Sequence, residues 1–111
     1  MVHKIQVIYV FWTCHDKSEA KKIICGLLKQ HLIACASVFD KVTSIYRWNG
    51  KIEESQEVKV MLKTTSQHFD KIQRYIQKHC SYEISEILQI DIIQGNPRYL
   101  SWIFQETTIA D

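Results

Sequence analysis

The chain has 111 residues, of which 46% are apolar and 23% are charged, a balance typical of a globular protein rather than of a disordered one. Lys and Arg number 14 against 12 acidic residues, and no basic run is longer than the pair Lys21-Lys22, so the pattern argues against nucleic-acid binding. The apolar stretches are too short to cross a bilayer. We therefore expect one domain over residues 1–111, with no nucleic-acid and no membrane partner.

The N-terminal residues lead into a strand-like segment and show no signal-peptide pattern, so a cytoplasmic location is expected. In that compartment the four cysteines are predicted to be reduced thiols. No C-x-x-C pair is present, so neither a redox motif nor a structural zinc site is indicated. Cys25, on an apolar helical stripe, and Cys35, inside an apolar strand, are predicted to be buried.

The first predicted elements are a strand and a helix. Residues 4–13 are rich in β-branched and aromatic side chains, which favours a strand buried on both faces or nearly so. Asp16 followed by Glu19 resembles a capping box, and apolar residues recur at helical spacing from Ala20 to Leu28.

A long hairpin is predicted next. Residues 34–48 read as a strand with a bend near Asp40, and residues 51–63 read as its partner. Asn49-Gly50 between them is the strongest short hairpin signal in the chain.

The last part of the chain predicts a helix, a strand and a closing helix. Ser66 is expected to cap the second helix, whose apolar stripe runs from Phe69 to Ile76. Residues 84–93 read as the fourth strand, and Pro97 is placed to open a short helix over residues 98–104. The order β-α-β-β-α-β predicts an α+β, ferredoxin-like fold: a four-stranded antiparallel sheet with two helices on one face, plus the C-terminal helix.

The predicted hairpin is too long for a domain of this size. Arms of roughly 13 to 15 residues would reach some 45 Å at about 3.3 Å per residue. Two helices cannot cover such arms, and their edges would offer unpaired backbone groups to another chain. Oligomerisation through the hairpin is therefore predicted; the alternative is a break at Asp40-Lys41 that shortens the arm.

Two segments of the sequence resemble the CutA divalent-cation tolerance family. Residues 32–65 carry the "AC" of strand two, the S-I-Y-R-W-x-G-K hairpin tip and the K-T-T ending. Residues 82–103 carry Y-E-x-x-E-I and G-N-P-x-Y-L-x-W-I. The resemblance covers residues 4–103, and it implies a homotrimer whose long hairpins extend the sheets of neighbouring subunits. It further implies tolerance of divalent metals, with copper binding in some members.

The chain departs from that family just before the last strand. Members commonly have His-Pro-Tyr-Glu there, whereas this chain has Cys80-Ser81-Tyr82-Glu83, with His79 directly before. The candidate metal ligands are Cys14, His79, Cys80 and Glu83. Cys14 follows strand one, whose end should meet the start of strand four, and thiolate with imidazole suits Cu(I) better than Mg²⁺ or Ca²⁺. The alternatives are that Cys80 fills a turn, that Cys14 packs under the first helix, and that Glu83 is one of two exposed acids with Glu86.

No enzyme machinery is recognised, since the sequence has no Ser-His-Asp pattern, P-loop or GxGxxG motif. The leading hypothesis is a copper-linked tolerance or metal-response protein. The alternative is a trimeric scaffold or sensor, similar to the PII signalling proteins, that binds an anionic metabolite between subunits. His3, His31 and His68 are predicted to be surface residues, Tyr99 and Trp102 to pin the closing helix to the sheet, and Tyr46 and Trp48 to pack between subunits.

Overall fold

A computed structural model describes residues 4–108 of the chain; His3 lies outside this range. The elements follow the predicted order and comprise, in sequence, β1 (Val7–Cys14), α1 (Lys17–Lys29), β2 (Cys35–Trp48), β3 (Lys51–Thr65), α2 (Phe69–His79), β4 (Ile87–Asp91) and α3 (Pro97–Glu106). The four strands form one antiparallel sheet in the order β2-β3-β1-β4. The predicted fold is confirmed.

The main core lies between the sheet and the helices α1 and α2. Alternate residues of β1 (Ile8, Val10, Trp12 and Cys14) face this core, because successive side chains in a strand point to opposite faces. They meet the apolar stripes of the two helices, listed here together: Ala20, Ile23, Ile24, Leu27, Ile72 and Ile76. Every one of these side chains is at most 8% exposed, so this layer supplies most of the hydrophobic stabilisation.

The opposite side of the sheet, here called the open face, carries large apolar side chains, several of which are exposed to solvent. Its apolar side chains include Phe11, Phe39, Met61, Leu88 and Ile90, which the strand registers place in neighbouring rows. Three of them, Phe39, Leu88 and Ile90, are 43–54% exposed. Lys59 lies over the Phe11 ring at 5.8 Å from its centroid.

The long hairpin is present and is bulged at the predicted bend. Pairing passes from Phe39–Lys59 to Val42–Glu57, so two residues of β2 oppose one of β3, and Lys41 has φ 59°. Pairing then continues to Trp48–Lys51, and the bulge therefore does not shorten the arm. Asn49 and Gly50 both have positive φ, as a type I′ turn requires.

Residues 42–57 of this hairpin, the overhang, extend beyond β1. β1 pairs with β3 only from Val58 to Thr65, so within the described range the overhang is a two-stranded ribbon. Its large side chains Ile45 and Ile52 are 67% and 74% exposed. The molecule is 47 Å long, and its radius of gyration of 15.0 Å exceeds the about 13 Å expected for a compact domain of this length.

Several predicted boundaries differ from the observed ones. β1 runs from Val7 to Cys14 instead of over residues 4–13. β4 runs from Ile87 to Asp91 instead of over residues 84–93, because only these five residues pair with β1. Ser66 does not cap α2: its hydroxyl accepts a hydrogen bond from the Gln6 N–H at 3.1 Å, and a 3-10 turn precedes the α-helix.

The packing of the closing helix also differs from the prediction. Leu100 and Ile103 of α3 pack against Val7 and Ala34. Tyr99 reaches the sheet with its hydroxyl, 3.9 Å from the Cys35 sulfur, and its ring stacks on Trp102 with centroids 5.9 Å apart. Tyr99 and Trp102 remain 36% and 39% exposed. The reason is geometric, since only one side of a helix can face the sheet.

Candidate metal centre

Cys14 and Cys80 are brought together at one end of the sheet. Cys14 is the last residue of β1, and Cys80 is the capping residue directly after α2. Their sulfur atoms and a carboxylate oxygen of Glu19 all lie within 4.8 Å of one another. Cys14 is fully buried, and the other two residues are half-buried, so the group has one side toward the core and one toward solvent.

Glu19 enters this group because of how α1 begins. The side chain of Asp16 accepts a hydrogen bond from the Glu19 N–H at 2.8 Å, as the predicted cap requires. The Glu19 carboxylate is directed to the end of α2, where it accepts hydrogen bonds from the Ser81 N–H and hydroxyl at 2.5 and 3.0 Å. Glu19 was not among the predicted candidate ligands, because its spacing from Asp16 indicated only a capping role.

The Cys14 thiol is held in its protonated form. It donates a hydrogen bond to the backbone oxygen of Asp16 at 3.5 Å. Burial raises its pKa from 9.0 to about 12, and the nearby Cys80 and Glu19 groups add to the increase. A metal ion binding here would have to displace that proton.

The other two predicted ligands, His79 and Glu83, lie outside this group. The exposed His79 ring packs against Tyr75, with ring centroids 4.4 Å apart. Glu83 is exposed and lines a neighbouring cleft. Within residues 4–108, the clustered donors are therefore two of the four predicted ligands and Glu19.

The neighbouring cleft is formed by the overhang, the end of β1 and the segment before β4, and its volume is about 580 Å³. Its aromatic lining comprises Tyr46, Trp48 and Tyr82, and its acidic lining comprises Glu57, Glu83 and Glu86. Thr13 and His15, which flank Cys14 along the chain, also line it. Lys and Arg are missing from its lining among the described residues.

Two of the acids in the cleft are occupied by hydrogen bonds. The Tyr82 hydroxyl donates a hydrogen bond to Glu57 at 2.6 Å. Burial raises the pKa of Tyr82, and this hydrogen bond raises it further. Thr13 donates its hydroxyl to Glu86 at 2.5 Å, and Lys59 lies 3.5 Å from the same carboxylate. Glu86 thus joins the segment before β4 to both β1 and β3.

Three predictions about single residues are wrong. Cys25 is exposed on the outer side of α1, and Cys35 is half-buried at the start of β2, with its sulfur 3.9 Å from the Tyr99 hydroxyl. His68 is only 8% exposed, and its Nε2 donates to the backbone oxygen of Thr107 at 2.7 Å. His31 is exposed, as predicted.

The fold and the site together define an α+β, ferredoxin-like protein with an overlong central hairpin and a cysteine-containing group at one end of the sheet. The model of the family described as CutA1 divalent ion tolerance protein matches residues 8–106. The chain belongs to this family.

Similar proteins of known name also carry the name CutA. "Protein CutA homolog" of Xenopus laevis is 42% identical over 91 residues, which are 82% of this chain and 60% of that protein. "Divalent-cation tolerance protein CutA" of Pyrococcus horikoshii is 37% identical over 91% of this chain and 98% of its own length. The chain spans 54–60% of the length of the vertebrate relatives it matches.

Solved structures show the same fold. CutA1 of Ehrlichia chaffeensis is 28% identical, with a TM-score of 0.89 over 96% of this chain and 100% of that chain. A protein of Archaeoglobus fulgidus, described as a periplasmic divalent cation tolerance protein, is 29% identical, with a TM-score of 0.89 over 92% and 99%. In the described part of this chain, every helix is too short or too polar to cross a membrane.

Proposed function

We propose that this chain is a homotrimeric metal-binding protein of divalent-cation tolerance and that copper, as Cu(I), is bound by Cys14, Cys80 and Glu19. The observation that carries the proposal is the convergence of two thiols and a carboxylate within 4.8 Å. Thiolate sulfur is a soft ligand that selects Cu(I) over the hard cations Mg²⁺ and Ca²⁺. The proposed role is binding rather than catalysis.

Each residue of the group has a distinct part in binding. Cys14 supplies a sulfur from the rigid end of β1, and its proton is released when the metal binds. Cys80 supplies the second sulfur from the end of α2 and is the more accessible of the two. The two hydrogen bonds from Ser81 orient the Glu19 carboxylate, as supporting contacts commonly do for metal ligands.

A Cu(I) competition titration with a chromogenic chelator tests this metal proposal. Cys14→Ser and Cys80→Ser are each expected to lower the affinity at least about tenfold, since even the loss of a supporting contact commonly costs 10- to 100-fold. Cys25→Ser is the matched control, because Cys25 is an exposed thiol on the outer side of α1. Unchanged affinity in both site variants would place copper elsewhere.

The same titration separates the alternative ligands. Glu19→Gln is expected to weaken binding, whereas His79→Ala and Glu83→Gln are expected to leave it unchanged, because neither side chain belongs to the clustered donors. If Glu83→Gln lowers the Cu(I) affinity strongly and Glu19→Gln does not, Glu83 and not Glu19 is the carboxylate ligand.

The proposed trimer is supported by two surfaces. The overhang has unpaired strand edges within the described range and exposes Ile45, Trp48 and Ile52. The open face exposes Phe39, Leu88 and Ile90. Contiguous apolar patches and free edges of this kind commonly mark interfaces.

Sedimentation at micromolar concentrations tests the assembly. We expect a trimer for the wild type and easier dissociation for Trp48→Ala, since truncating a large aromatic anchor can cost about 2 kcal/mol or more. A monomeric wild type would refute the trimer. A Trp48→Ala trimer that dissociates no more readily than the wild type would show that Trp48 is not an anchor.

The cleft favours the metal hypothesis over the sensor of an anionic metabolite. An anion site needs converging Lys, Arg or backbone N–H groups, whereas the cleft is lined by three glutamates and, among the described residues, by no Lys or Arg. We also propose a reducing compartment, the cytoplasm, because the four cysteines are free. Thiol counting on freshly isolated protein tests this location: free thiols are expected at Cys25 and Cys35, and a native disulfide at either of them would contradict it.

A further inference from the structure

We propose that Cys14 and Cys80 form a reversible intramolecular disulfide, which makes the cysteine group a redox-controlled site. The disulfide itself needs no metal. The control of copper binding by the disulfide rests on the function proposed above.

The two sulfur atoms lie near each other, and side-chain rotation would have to bring them into bonding distance. They lie within 4.8 Å, and a disulfide bond is about 2.05 Å long. Cys80 stands at the end of α2 with an extended backbone (φ −84°, ψ 140°), so helical packing does not restrict its side chain as it would inside the helix. The hydrogen bonds from Ser81 to Glu19 hold this segment beside the end of β1.

The other two cysteines are poorly placed to compete for this bond. Cys35 is in register with Lys63, which is in register with Tyr9, five positions along β1 from Cys14 and on the opposite face. That separation is about 16 Å along the strand. Cys25 lies six positions beyond Glu19 on α1, which is about 9 Å along the helix, and it is exposed to solvent.

The chemistry is thiol–disulfide exchange with a low-molecular-weight disulfide, RSSR. The half-buried Cys80 is accessible first: its thiolate attacks one sulfur of RSSR, forms a mixed disulfide and releases RS⁻, which takes up the proton that Cys80 gave up. The Cys14 sulfur then attacks Cys80 Sγ and releases the second RS⁻, which takes up the proton of Cys14. Overall, two protein thiols are oxidised to one disulfide, and RSSR is reduced to two RSH.

Oxidation would remove both sulfur ligands at once. A sulfur atom in a disulfide is no longer a thiolate, and the thiolate is the form that binds metals. The proposal therefore predicts that copper binding is lost on oxidation and recovered on reduction. The pair depends on a cysteine at position 80, so a chain with another residue at that position would lack this control.

The experiment begins with metal-free, fully reduced protein incubated with excess oxidised glutathione. Remaining thiols are alkylated, and intact mass and peptide mapping follow. We expect a loss of about 2 Da relative to the reduced chain before alkylation, two alkylated cysteines, and a linked pair of peptides containing Cys14 and Cys80. Alkylation of all four cysteines, or a linkage that maps to Cys25 or Cys35, would overturn the proposal.

Variants separate this bond from nonspecific oxidation. The double variant Cys25→Ser/Cys35→Ser is expected to form the same disulfide as the wild type. Cys14→Ser is expected to stop at a mixed disulfide between Cys80 and glutathione, and Cys80→Ser to form no intramolecular bond. If Cys80→Ser still forms an intramolecular disulfide at the wild-type rate, the assignment is wrong; the wild-type peptide map decides the question should Cys14→Ser fail to fold.

A second measurement distinguishes this proposal from the metal proposal. Cu(I) affinity is compared for reduced protein, oxidised protein, and oxidised protein treated with a phosphine reductant. We expect at least a tenfold loss on oxidation and full recovery. A disulfide without any effect on copper affinity would overturn the control, whereas a reduced protein that binds no copper would overturn the proposed function and leave the disulfide standing.

Discussion

The hydroxyl of Tyr82 donates a 2.6 Å hydrogen bond to the carboxylate of Glu57, which joins the segment before β4 to the overhang. Tyr82 follows Cys80 by two residues, and Glu57 is the last residue of the overhang before β3 pairs with β1. The contact therefore joins two walls of the cleft, the hairpin and the segment before β4.

Tyr82→Phe removes this hydrogen bond and leaves a half-buried carboxylate without its donor. We expect the free energy of unfolding to fall by about 1.5–3 kcal/mol, the range for hydrogen bonds to charged groups. Urea denaturation measures it. Tyr46→Phe is the matched control: its hydroxyl lies 3.2 Å from the Ser55 hydroxyl in an exposed position, so its loss should cost less. Equal losses of unfolding free energy in the two variants would show that the Tyr82 hydrogen bond stabilises the fold no more than the exposed Tyr46 contact does.

Asp16→Ala removes the cap of α1. The Glu19 N–H then loses its acceptor, and a cost of about 1 kcal/mol in the free energy of unfolding is expected. Asp16→Asn keeps an oxygen in the same place and should retain most of the stability. Thermal or urea unfolding of the two variants checks this, and an Asn variant as unstable as the Ala variant would mean that the charge of Asp16, not its capping hydrogen bond, stabilises the helix.

Leu88→Lys tests whether the open face is covered by another subunit. Leu88 is 54% exposed in the single chain, so the substitution should leave the subunit fold intact while placing a charge in the proposed interface. We expect sedimentation to show dissociation at concentrations where the wild type stays assembled. Gln89→Lys adds the same charge to the other side of β4, where Gln89 is exposed, and should behave like the wild type. Identical sedimentation of both variants would leave Leu88 outside any interface.

The raised pKa of the Cys14 thiol predicts that the folded chain loses stability at alkaline pH. Its folded-state pKa of about 12 lies above the ordinary value of 9.0, mainly because of burial, so the folded chain holds this proton more tightly than the unfolded chain does. The stabilisation is complete below pH 9 and is lost as the pH rises toward 12. Urea denaturation between pH 7 and pH 10.5 should show the free-energy difference between wild type and Cys14→Ser shifting against the wild type above pH 9. A difference that stays constant would mean that the thiol titrates normally.

Local patterns in the sequence predicted most of the fold. The apolar alternation of β1, the helical stripe from Ala20 to Leu27 and the Asn49-Gly50 turn each depend on residues close together in the chain. Their order was sufficient to predict the four-stranded sheet, and the same reasoning placed Cys14 and Cys80 at one end of it. The capping role of Asp16 was likewise visible, since it depends on a spacing of three residues.

Contacts between distant segments decided the rest. Glu19 lies beside Cys80, where Ser81 of the segment after α2 donates two hydrogen bonds to its carboxylate across 62 positions of the chain. The length of β4 was decided by its pairing with residues 8–12 of β1, and His68 became buried through its contact with Thr107. The sequence by itself determined the elements, their order and the overlong hairpin, because hydrophobic periodicity and turn chemistry are local. Only the tertiary structure decided which donors share one site, because side-chain convergence depends on the packing of helix ends against strand ends.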